Sequence, residues 1–348
     1  MAIEKIDLDT FLHLRQSLMV FDVRSPGEFA HAHVPGAVSF PIFNDAERSE
    51  IGTAYKQVSR ESAIKIGLQA FGKNLLSMVE QAEQMLRGHA EPRTVIVHCW
   101  RGGMRSAAVA WLLDLYGFKV YLLNGGYKVF RKWALAQFEK RYDLKILGGY
   151  TGSNKTGVIQ LLRSEGLPCI DLEGLAHHKG SAFGNLDLLP QPSQEYFENC
   201  LACELLEASH KGKHIVLEGE SQRIGTVNIP PAFFAEMRRA ELYFLDVPFE
   251  ARLQHIVEGY GTYTKEQLIN AIVRIKKRLG GVEAKACVNA LIEDDVLSCF
   301  RILLQYYDKQ YLKQTLGKEA PQRPVKMVQA VTVDAKLNLQ LLLNDAEL

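Results

Sequence analysis

The stretch Thr94-Val-Ile-Val-His-Cys-Trp-Arg-Gly-Gly-Met-Arg-Ser106 decides how the first part of this chain folds. The apolar, β-branched run at its start predicts a buried strand, and Ala107 to Tyr116 behind it has the apolar spacing of a helix. The loop between them holds a cysteine, two glycines and two arginines. When a loop runs from a strand into a helix in this way, its backbone N–H groups and the helix start point towards a bound anion.

Cys99 lies at the start of this predicted anion loop. We expect the charges of Arg101 and Arg105, together with the backbone N–H groups, to lower the pKa of the thiol and to favour the reactive thiolate. An inert buried cysteine is the competing interpretation, but the glycines and arginines occur where an anion loop needs them. The predicted loop residues are Trp100, Arg101, Gly102, Gly103, Met104 and Arg105.

Length and composition predict a globular protein of two or three domains, because 348 residues exceed one ordinary core. The formal net charge is only +1, so a polyanionic partner would need a local basic face. The six cysteines are scattered, which indicates a reducing compartment. With no signal peptide and no apolar run of about 20 residues, we expect a cytoplasmic protein that does not span a membrane.

Alternating strand and helix patterns predict an α/β fold with mostly parallel sheets. The first domain is expected over residues 1–135, followed by a linker helix over 136–143. A second α/β domain is expected over 144–260. After about residue 250 the strand signals stop, and we expect a helical C-terminal region over 261–348.

The second domain opens with Gly149-Tyr-Thr-Gly-Ser-Asn-Lys-Thr156, which follows the Walker A phosphate-loop pattern except that Asn154 replaces a glycine. We expect a positive φ at Asn154, because asparagine tolerates it best among the other residues. Lys155 is expected to contact phosphates, and Thr156 is a candidate Mg²⁺ ligand. ATP and any other diphosphate would satisfy the loop equally. The predicted phosphate-binding residues are Gly149, Thr151, Gly152, Ser153, Asn154, Lys155 and Thr156.

Carboxylates follow two further strands of the second domain, and Asp171, Glu218 and Glu220 are candidate acids or metal-contacting groups. A glycine-rich, cationic segment follows the first of these strands and is a poor candidate for a core. We interpret it as a substrate loop that extends towards the same cleft. Its candidate residues, with one arginine from a later loop, are His177, His178, Lys179, Ser181 and Arg223.

The first domain resembles the rhodanese family in Phe21 to Phe29, in His31 to Ala37, in the Cys99 loop and in Asn124-Gly-Gly-Tyr127. This resemblance implies a catalytic Cys99 that carries sulfur or selenium as a persulfide or perselenide. The spacing from Cys99 to Arg105 is also the Cys-x5-Arg spacing of protein phosphatases. A phosphatase needs a general acid as well, and the sequence alone does not place Asp22 or Glu28. That alternative stays open.

The second domain resembles the P-loop kinases in its phosphate loop, and a rhodanese-like domain fused to such a domain is a narrow combination. The octapeptide Cys99 to Ser106, the segment Asp171 to Gly184 and Glu218 to Gly225 together resemble the bacterial tRNA 2-selenouridine synthase family. The resemblance implies conversion of wobble 2-thiouridine in tRNA to 2-selenouridine. Its implied co-substrates are selenophosphate and geranyl diphosphate, which geranylates the sulfur first. Our hypothesis is that Lys155 serves geranylation and Cys99 serves selenation.

The partners implied are tRNA and a selenophosphate synthetase. Candidate tRNA contacts are Arg131-Lys132, Lys276-Lys277-Arg278 and Lys309 to Lys318 in the C-terminal region. Tyr306, Tyr307 and Tyr311 either stack on anticodon bases or pack in a helical core. Rival interpretations are a rhodanese-type sulfurtransferase coupled to an ATP-dependent kinase-like domain, and a binding module in which both sites are degenerate.

Overall fold

The computed structural model describes residues 3–179, 189–260, 263–315 and 322–345. The chain divides into two units, Met1–Ala136 and Gln137–Leu348. Each unit contains a parallel sheet flanked by helices, so the predicted α/β class is confirmed. The first unit ends at Ala136, one residue after the end predicted for the first domain.

In the first unit, five described strands pair in parallel in the order β1-β5-β4-β2-β3. The strands are β1 (Ile3–Ile6), β2 (Val20–Asp22), β3 (Val38–Ser39), β4 (Thr94–His98) and β5 (Lys119–Leu123). The helices are α1 (Leu8–Leu14), α2 (Pro26–His31), α3 (Asp45–Gln57), α4 (Arg60–Leu86), α5 (Met104–Leu115) and α6 (Gly126–Gln137).

Strand β4 occupies the middle of this sheet and is buried from Val95 to His98. Side chains on both faces of this central strand are buried, which is why its sequence is a continuous apolar run rather than an alternating one. The carboxyl end of β4 therefore opens at the centre of the sheet edge, where ligands of parallel sheets bind. The loop that follows ends at Gly103, and α5 begins at Met104.

In the second unit, five described strands pair in parallel in the order β12-β11-β6-β8-β7, and β9 and β10 form a separate hairpin. The strands are β6 (Leu144–Gly149), β7 (Cys169–Ile170), β8 (Ile215–Glu218), β9 (Arg223–Ile224), β10 (Val227–Asn228), β11 (Glu241–Asp246) and β12 (Val325–Gln329). The helices are α7 (Lys155–Ser164), α8 (Leu172–Ala176), α9 (Gln194–Lys211), α10 (Pro231–Arg239), α11 (Phe249–Tyr260), α12 (Lys265–Leu279), α13 (Gly281–Ile292), α14 (Val296–Thr315) and α15 (Ala335–Asp345).

The linker helix predicted over 136–143 is wrong. Helix α6 ends at Gln137, and the chain runs through a turn and an extended segment into β6. Phe138 and Tyr142 in this segment both pack on Phe233 of α10, with ring centroids 6.2 Å apart in each case. Burial of these two rings on a neighbouring helix replaces continued helical hydrogen bonding.

The C-terminal region is not wholly helical as predicted over 261–348. Strand β12 lies there and pairs in parallel with β11 at the edge of the sheet. Only Val328 of its five residues is buried, and the run Val-Lys-Met-Val-Gln is too short and too irregular in its alternation of apolar and polar residues to predict a strand. Helices α12, α13 and α14 are confirmed and share their own hydrophobic core, which includes Ile272, Leu291 and Phe300.

Candidate active sites

The Cys99 thiol lies directly after β4, and the residue is only 3% exposed. Its Sγ atom is 3.2 Å from the Ser106 hydroxyl. Burial raises the pKa of the thiol, but hydrogen bonds from the Ser106 side chain and from the backbone N–H groups of Arg101, Ser106 and Gly103 lower it further than burial raises it. The net pKa is below the ordinary value, which favours the thiolate and suits Cys99 to act as a nucleophile.

The arginines of the loop act differently from what we predicted. Arg105 donates hydrogen bonds of 2.6 and 3.4 Å to the carboxylate of Glu28, and Arg48 lies 3.5 Å from the same carboxylate. The Arg101 side chain is exposed. The structure thus assigns the lowered pKa of Cys99 to hydroxyl and backbone donors, while Glu28 fixes the orientation of the Arg105 guanidinium.

Glycine is required at two places around Cys99. Gly102 has a φ of +65°, and a Cβ there would lie 2.9 Å from the carbonyl oxygen of Leu123. Gly126 has a φ of +58°, and its Cβ would lie 2.6 Å from the backbone nitrogen of Gly102. The next residue, Tyr127, donates its N–H to the Cys99 carbonyl at 2.8 Å. The Asn-Gly-Gly-Tyr turn therefore supports the cysteine loop through close backbone packing.

The rim of the Cys99 site is exposed and apolar, whereas the residues beneath its loop are buried and charged. Trp100 and Met104 are exposed, at 37% and 58% respectively. Beneath the loop, Arg24 is buried and makes hydrogen bonds of 2.6 to 3.0 Å to both carboxylate oxygens of Asp22. Its guanidinium also lies 4.0 Å from the ring centroid of Tyr127. The loop thus rests on a buried ion pair.

Neither carboxylate that the phosphatase alternative needs is placed as a proton donor. Burial raises the pKa of Asp22, but the charges of His98 and Arg24 and the hydrogen bonds from Arg24 lower it overall. Burial likewise raises the pKa of Glu28, and its hydrogen bond and ion pair with Arg105 lower it overall. Both side chains are therefore held ionised, whereas a general acid must be protonated.

The second site is the loop between β6 and α7. Asn154 has a φ of 59° and a ψ of 38°, which confirms the left-handed conformation predicted for it. Its side-chain amide donates to the carbonyl oxygen of Val333 at 2.9 Å. Gly149 and Gly152 also have positive φ values, of 153° and 81°. The chain thus curls into the geometry of a phosphate loop before α7 begins at Lys155.

Polar groups within this loop are turned inwards. The Lys155 ammonium donates to the carbonyl oxygens of Gly149 and Tyr150 at 2.9 and 3.4 Å. The Ser153 hydroxyl is buried and has no hydrogen-bond partner. Thr151 contributes its carbonyl oxygen, which accepts a bond of 3.1 Å from Arg252. These contacts place a cation and an unsatisfied hydroxyl where a phosphate group would lie.

Three glutamates gather beside the loop. The Thr156 hydroxyl donates to Glu173 at 3.0 Å, and the Glu173 N–H donates to Glu218 at 3.3 Å. Burial, followed by the charge of the neighbouring carboxylates, raises the pKa of Glu173 and Glu218 to about 8 and that of Glu220 to about 7. The cluster therefore holds protons near neutral pH. Asp171, predicted together with Glu218 and Glu220, raises the pKa of Glu173 and Glu218 through its charge, and it also caps α8 by accepting the Gly174 N–H at 2.7 Å.

The Mg²⁺ ion expected at Thr156 would need oxygen ligands from the residues around this loop. In residues 3–179, 189–260, 263–315 and 322–345, no three His, Cys, Asp or Glu side chains are arranged to hold a metal ion. The Thr156 hydroxyl is engaged with Glu173. Mg²⁺ at Thr156 stays a prediction.

The predicted substrate loop is described as far as Lys179, and Ser181 lies outside the described residues. His177 ends α8 with a φ of 49°, and its Nδ1 lies 2.9 Å from the carbonyl oxygen of Pro190. His178 has a buried Nδ1 without a partner. Arg223 begins the β9–β10 hairpin, where its Nε donates to the Gly225 carbonyl at 2.9 Å.

Gln191 was not predicted, yet it joins this segment to the hairpin. Its amide nitrogen donates to the carbonyl oxygens of Ala176 and Ile224 at 2.9 and 3.1 Å. Its amide oxygen accepts the N–H of Thr226 at 2.8 Å. One side chain therefore connects the end of α8 with strand β9 and with Thr226 in the turn of the hairpin that contains Arg223.

Helix α14 also reaches the phosphate loop. The Tyr311 hydroxyl accepts the Gly149 N–H at 3.2 Å, and Asp308 pairs with both terminal nitrogens of Arg252 at 2.8 and 2.9 Å. Tyr306 and Tyr307 pack instead against the helical core. Of the three tyrosines considered for base stacking, Tyr311 therefore contacts the phosphate loop, and the other two are half-buried against the helical core.

The two sites correspond to two known family models. The model of the tRNA 2-selenouridine synthase AAA domain matches residues 142–335, and that of the rhodanese-like domain matches residues 7–132. This chain belongs to the tRNA 2-selenouridine synthase family. Both the family and the fusion of two domains that the sequence predicted are confirmed.

Three tRNA 2-selenouridine synthases illustrate the relationship. That of Nitrosomonas europaea is 39% identical over 248 residues, which is 69% of this chain and 63% of the relative. That of Sulfurovum sp. is 32% identical over 326 residues, covering 84% of this chain and 87% of the relative. That of Shewanella denitrificans is 35% identical over 338 residues, covering 87% and 90%.

In this member of the tRNA 2-selenouridine synthase family, sequence reasoning assigned no role to two side chains at the loops, Ser106 and Arg252. Ser106 is the last residue of the cysteine octapeptide, and a polar residue in the first turn of α5 was the available signal. Arg252 gave no signal, because its partner Asp308 is far away in sequence. Of the helices that the structure describes, none has the length and apolarity needed to cross a membrane.

Proposed function

We propose that this chain converts wobble 2-thiouridine of tRNA to 2-selenouridine in two steps, S-geranylation by geranyl diphosphate followed by replacement of sulfur by selenium from selenophosphate. The observation that carries the proposal is that one chain contains two different anion sites. One surrounds a thiol of lowered pKa, and the other is a phosphate loop with a lysine. A reaction with a phosphate-bound chalcogen donor and a diphosphate leaving group requires both.

Geranylation is assigned to the phosphate loop. The loop N–H groups and Lys155 bind the diphosphate, so that the ammonium exchanges the carbonyl oxygens of Gly149 and Tyr150 for phosphate oxygens. The thiouridine sulfur attacks C1 of the geranyl group, the C–O bond breaks and pyrophosphate leaves as the N3 proton is lost. Lys155 stabilises the charge that develops on the leaving group.

Selenation is assigned to the Cys99 loop. The Cys99 thiolate attacks the phosphorus atom of selenophosphate, so that the P–Se bond breaks and selenium leaves as hydrogen selenide. Water then cleaves the S–P bond of the cysteinyl phosphate, which releases phosphate and restores the thiol. Arg105, held by Glu28, and the loop N–H groups bind the anionic donor. Selenium then displaces the geranylthio group at C2 of the uridine.

The proposed reaction requires tRNA as its substrate and a supply of selenophosphate. A wobble base must be splayed out of its stack before a protein reaches C2, so tRNA binding involves the anticodon loop. A selenophosphate synthetase is the proposed source of the selenium donor. If Mg²⁺ takes part, Thr156 would hold it, and the ion would neutralise diphosphate charge. The cytoplasm, where tRNA and reduced thiols occur together, remains the predicted location.

Nucleoside mass spectrometry of tRNA bearing wobble 2-thiouridine tests the two steps, with each donor omitted in turn. The wild type should yield geranylthiouridine without selenophosphate and selenouridine with both donors. Lys155→Ala should slow geranylation by about 100-fold or more. Cys99→Ala should geranylate normally and fail to form selenouridine.

Lys211→Ala and Cys200→Ala are the matched controls, because both residues lie on α9 outside either loop. If a folded Cys99→Ala variant loses geranylation as well, the division of labour is wrong. If the folded wild type leaves tRNA unchanged but turns over ATP, the sulfurtransferase with a kinase-like domain replaces this proposal.

A further inference from the structure

Three aromatic rings stand beside the phosphate loop. Tyr150 is part of the loop, Phe244 belongs to β11 and Tyr311 to α14. Their ring centroids are 5.0 Å apart for Tyr150 and Phe244, 5.8 Å for Phe244 and Tyr311, and 6.1 Å for Tyr150 and Tyr311. Separate elements thus bring the rings together in a triangle, which is hereafter called the aromatic wall.

The aromatic wall is fixed to the groups that bind phosphate. Its Tyr311 hydroxyl accepts the N–H of Gly149, the first residue of the loop. The Lys155 ammonium lies 6.0 Å from the Tyr311 ring centroid. On the other side, the buried Arg252 guanidinium lies 4.7 Å from the Tyr150 ring centroid and is itself held by Asp308. Tyr311 and Tyr150 are therefore each tied to groups of the phosphate loop or to the arginine that contacts it.

Burial divides the wall into a base and a face. Phe244 is completely buried and supports the other two rings. Tyr150 and Tyr311 are half-buried, so each side chain keeps some exposure to solvent. A phosphate loop needs backbone N–H groups and a cation, and it does not require aromatic side chains beside it. A ligand that continues from the diphosphate as an apolar chain does need such a surface, because its carbon atoms must leave water.

We propose that Tyr150 and Tyr311 bind the hydrocarbon chain of an allylic prenyl diphosphate and so determine which chain length the enzyme accepts. This inference rests on the proposed geranylation. Phe244 holds the two rings in place, and the Gly149–Tyr311 hydrogen bond sets the wall at a fixed distance from the diphosphate. Chain length is then selected by how much of the chain the two rings cover.

Equilibrium binding with the full chain tests this assignment, using geranyl diphosphate, dimethylallyl diphosphate and inorganic pyrophosphate as ligands. Tyr311→Ala and Tyr150→Ala should each weaken geranyl diphosphate binding by about tenfold, the scale on which apolar pockets discriminate. Pyrophosphate binding should fall by a much smaller factor, because Lys155 and the loop N–H groups that contact the diphosphate are retained. The preference for geranyl over dimethylallyl diphosphate should fall in parallel. Leu312→Ala, an exposed neighbour on α14, is the control.

Tyr311→Phe separates the ring from its hydroxyl. It should retain geranyl diphosphate binding if the ring face is what the ligand contacts. Equal losses for pyrophosphate and geranyl diphosphate would overturn the inference, since the rings would then only support the loop. A raised KM for tRNA with unchanged geranyl diphosphate binding would also overturn it, in favour of a platform for a base. If the wild type binds pyrophosphate but not geranyl diphosphate, the proposed geranylation itself is contradicted, whatever the two rings do.

Discussion

At the scale of single residues, the chemistry of Cys99 depends on its neighbours rather than on a nearby formal charge. A buried thiol is ordinarily harder to ionise, because the thiolate loses its hydration. The Ser106 hydroxyl, 3.2 Å away, and the loop N–H groups replace that hydration with fixed dipoles. Neither arginine of the loop is needed to stabilise the thiolate, so both can bind the substrate anion. Glu28 orients the Arg105 guanidinium, and the Arg101 side chain is exposed to solvent.

Replacing Ser106 with alanine tests this balance. Ser106→Ala should raise the pKa of Cys99 by roughly one unit, because a hydrogen bond to the thiolate is lost while burial persists. The pH dependence of Cys99 alkylation by iodoacetamide measures the change. Ser77→Ala, on an exposed part of α4, should leave the profile unchanged. An unchanged profile in Ser106→Ala would mean that the backbone N–H groups alone lower the pKa.

The scale of elements shows which features a sequence reveals. The segments β4–loop–α5 and β6–loop–α7 were predictable, because strand, loop and helix are contiguous and each glycine or asparagine meets a local backbone demand. The left-handed Asn154 is an example. Strand β12 and the contact of Tyr311 with Gly149 were not predictable. Their partners lie about 80 and 162 residues away, and no local pattern encodes such pairings.

The ends of β7 and β8 bring the three glutamates together, and this makes the stability of the second unit depend on pH. The pKa of Glu218 is raised to about 8, from an ordinary value of 4.5. The folded chain therefore retains a proton that the unfolded chain loses above pH 4.5. It follows that the free energy of unfolding falls as pH rises from about 5 to 8.

Glu218→Gln should flatten this dependence and make the variant more stable than the wild type at pH 8, by roughly 2 kcal/mol or more. Urea unfolding at pH 5 and pH 8 measures the difference. Glu207→Gln, an exposed glutamate on α9, should keep the wild-type slope. Parallel curves for wild type and Glu218→Gln would show that Glu218 is ionised across this range.

At the scale of the whole molecule, the near-zero net charge constrains how a tRNA is bound. With a formal charge of +1, the chain as a whole attracts a polyanion little, and the attraction must come from local clusters. Lys276, Lys277 and Arg278 form such a cluster, exposed on the last turn of α12. The other C-terminal candidate, Lys309 to Lys318, extends past residue 315 outside the described residues.

Neutralising Lys276, Lys277 and Arg278 together should therefore weaken tRNA binding and make it less sensitive to salt. Each phosphate contact contributes roughly 0.7 to 0.9 to the slope of log affinity against log salt concentration, so losing three contacts should lower the slope by about two to three. Filter binding between 50 and 200 mM salt measures the slope. The triple variant Lys56→Ala, Lys65→Ala, Lys73→Ala removes the same charge from exposed positions in α3 and α4 and should change it less. Equal slopes for the two variants would mean that α12 does not contact the tRNA backbone.

Binding of geranyl diphosphate should be unchanged in both triple variants. The phosphate loop binds its anion through Lys155 and backbone N–H groups and not through surface charge, so unchanged binding would show that the altered salt dependence is specific to tRNA.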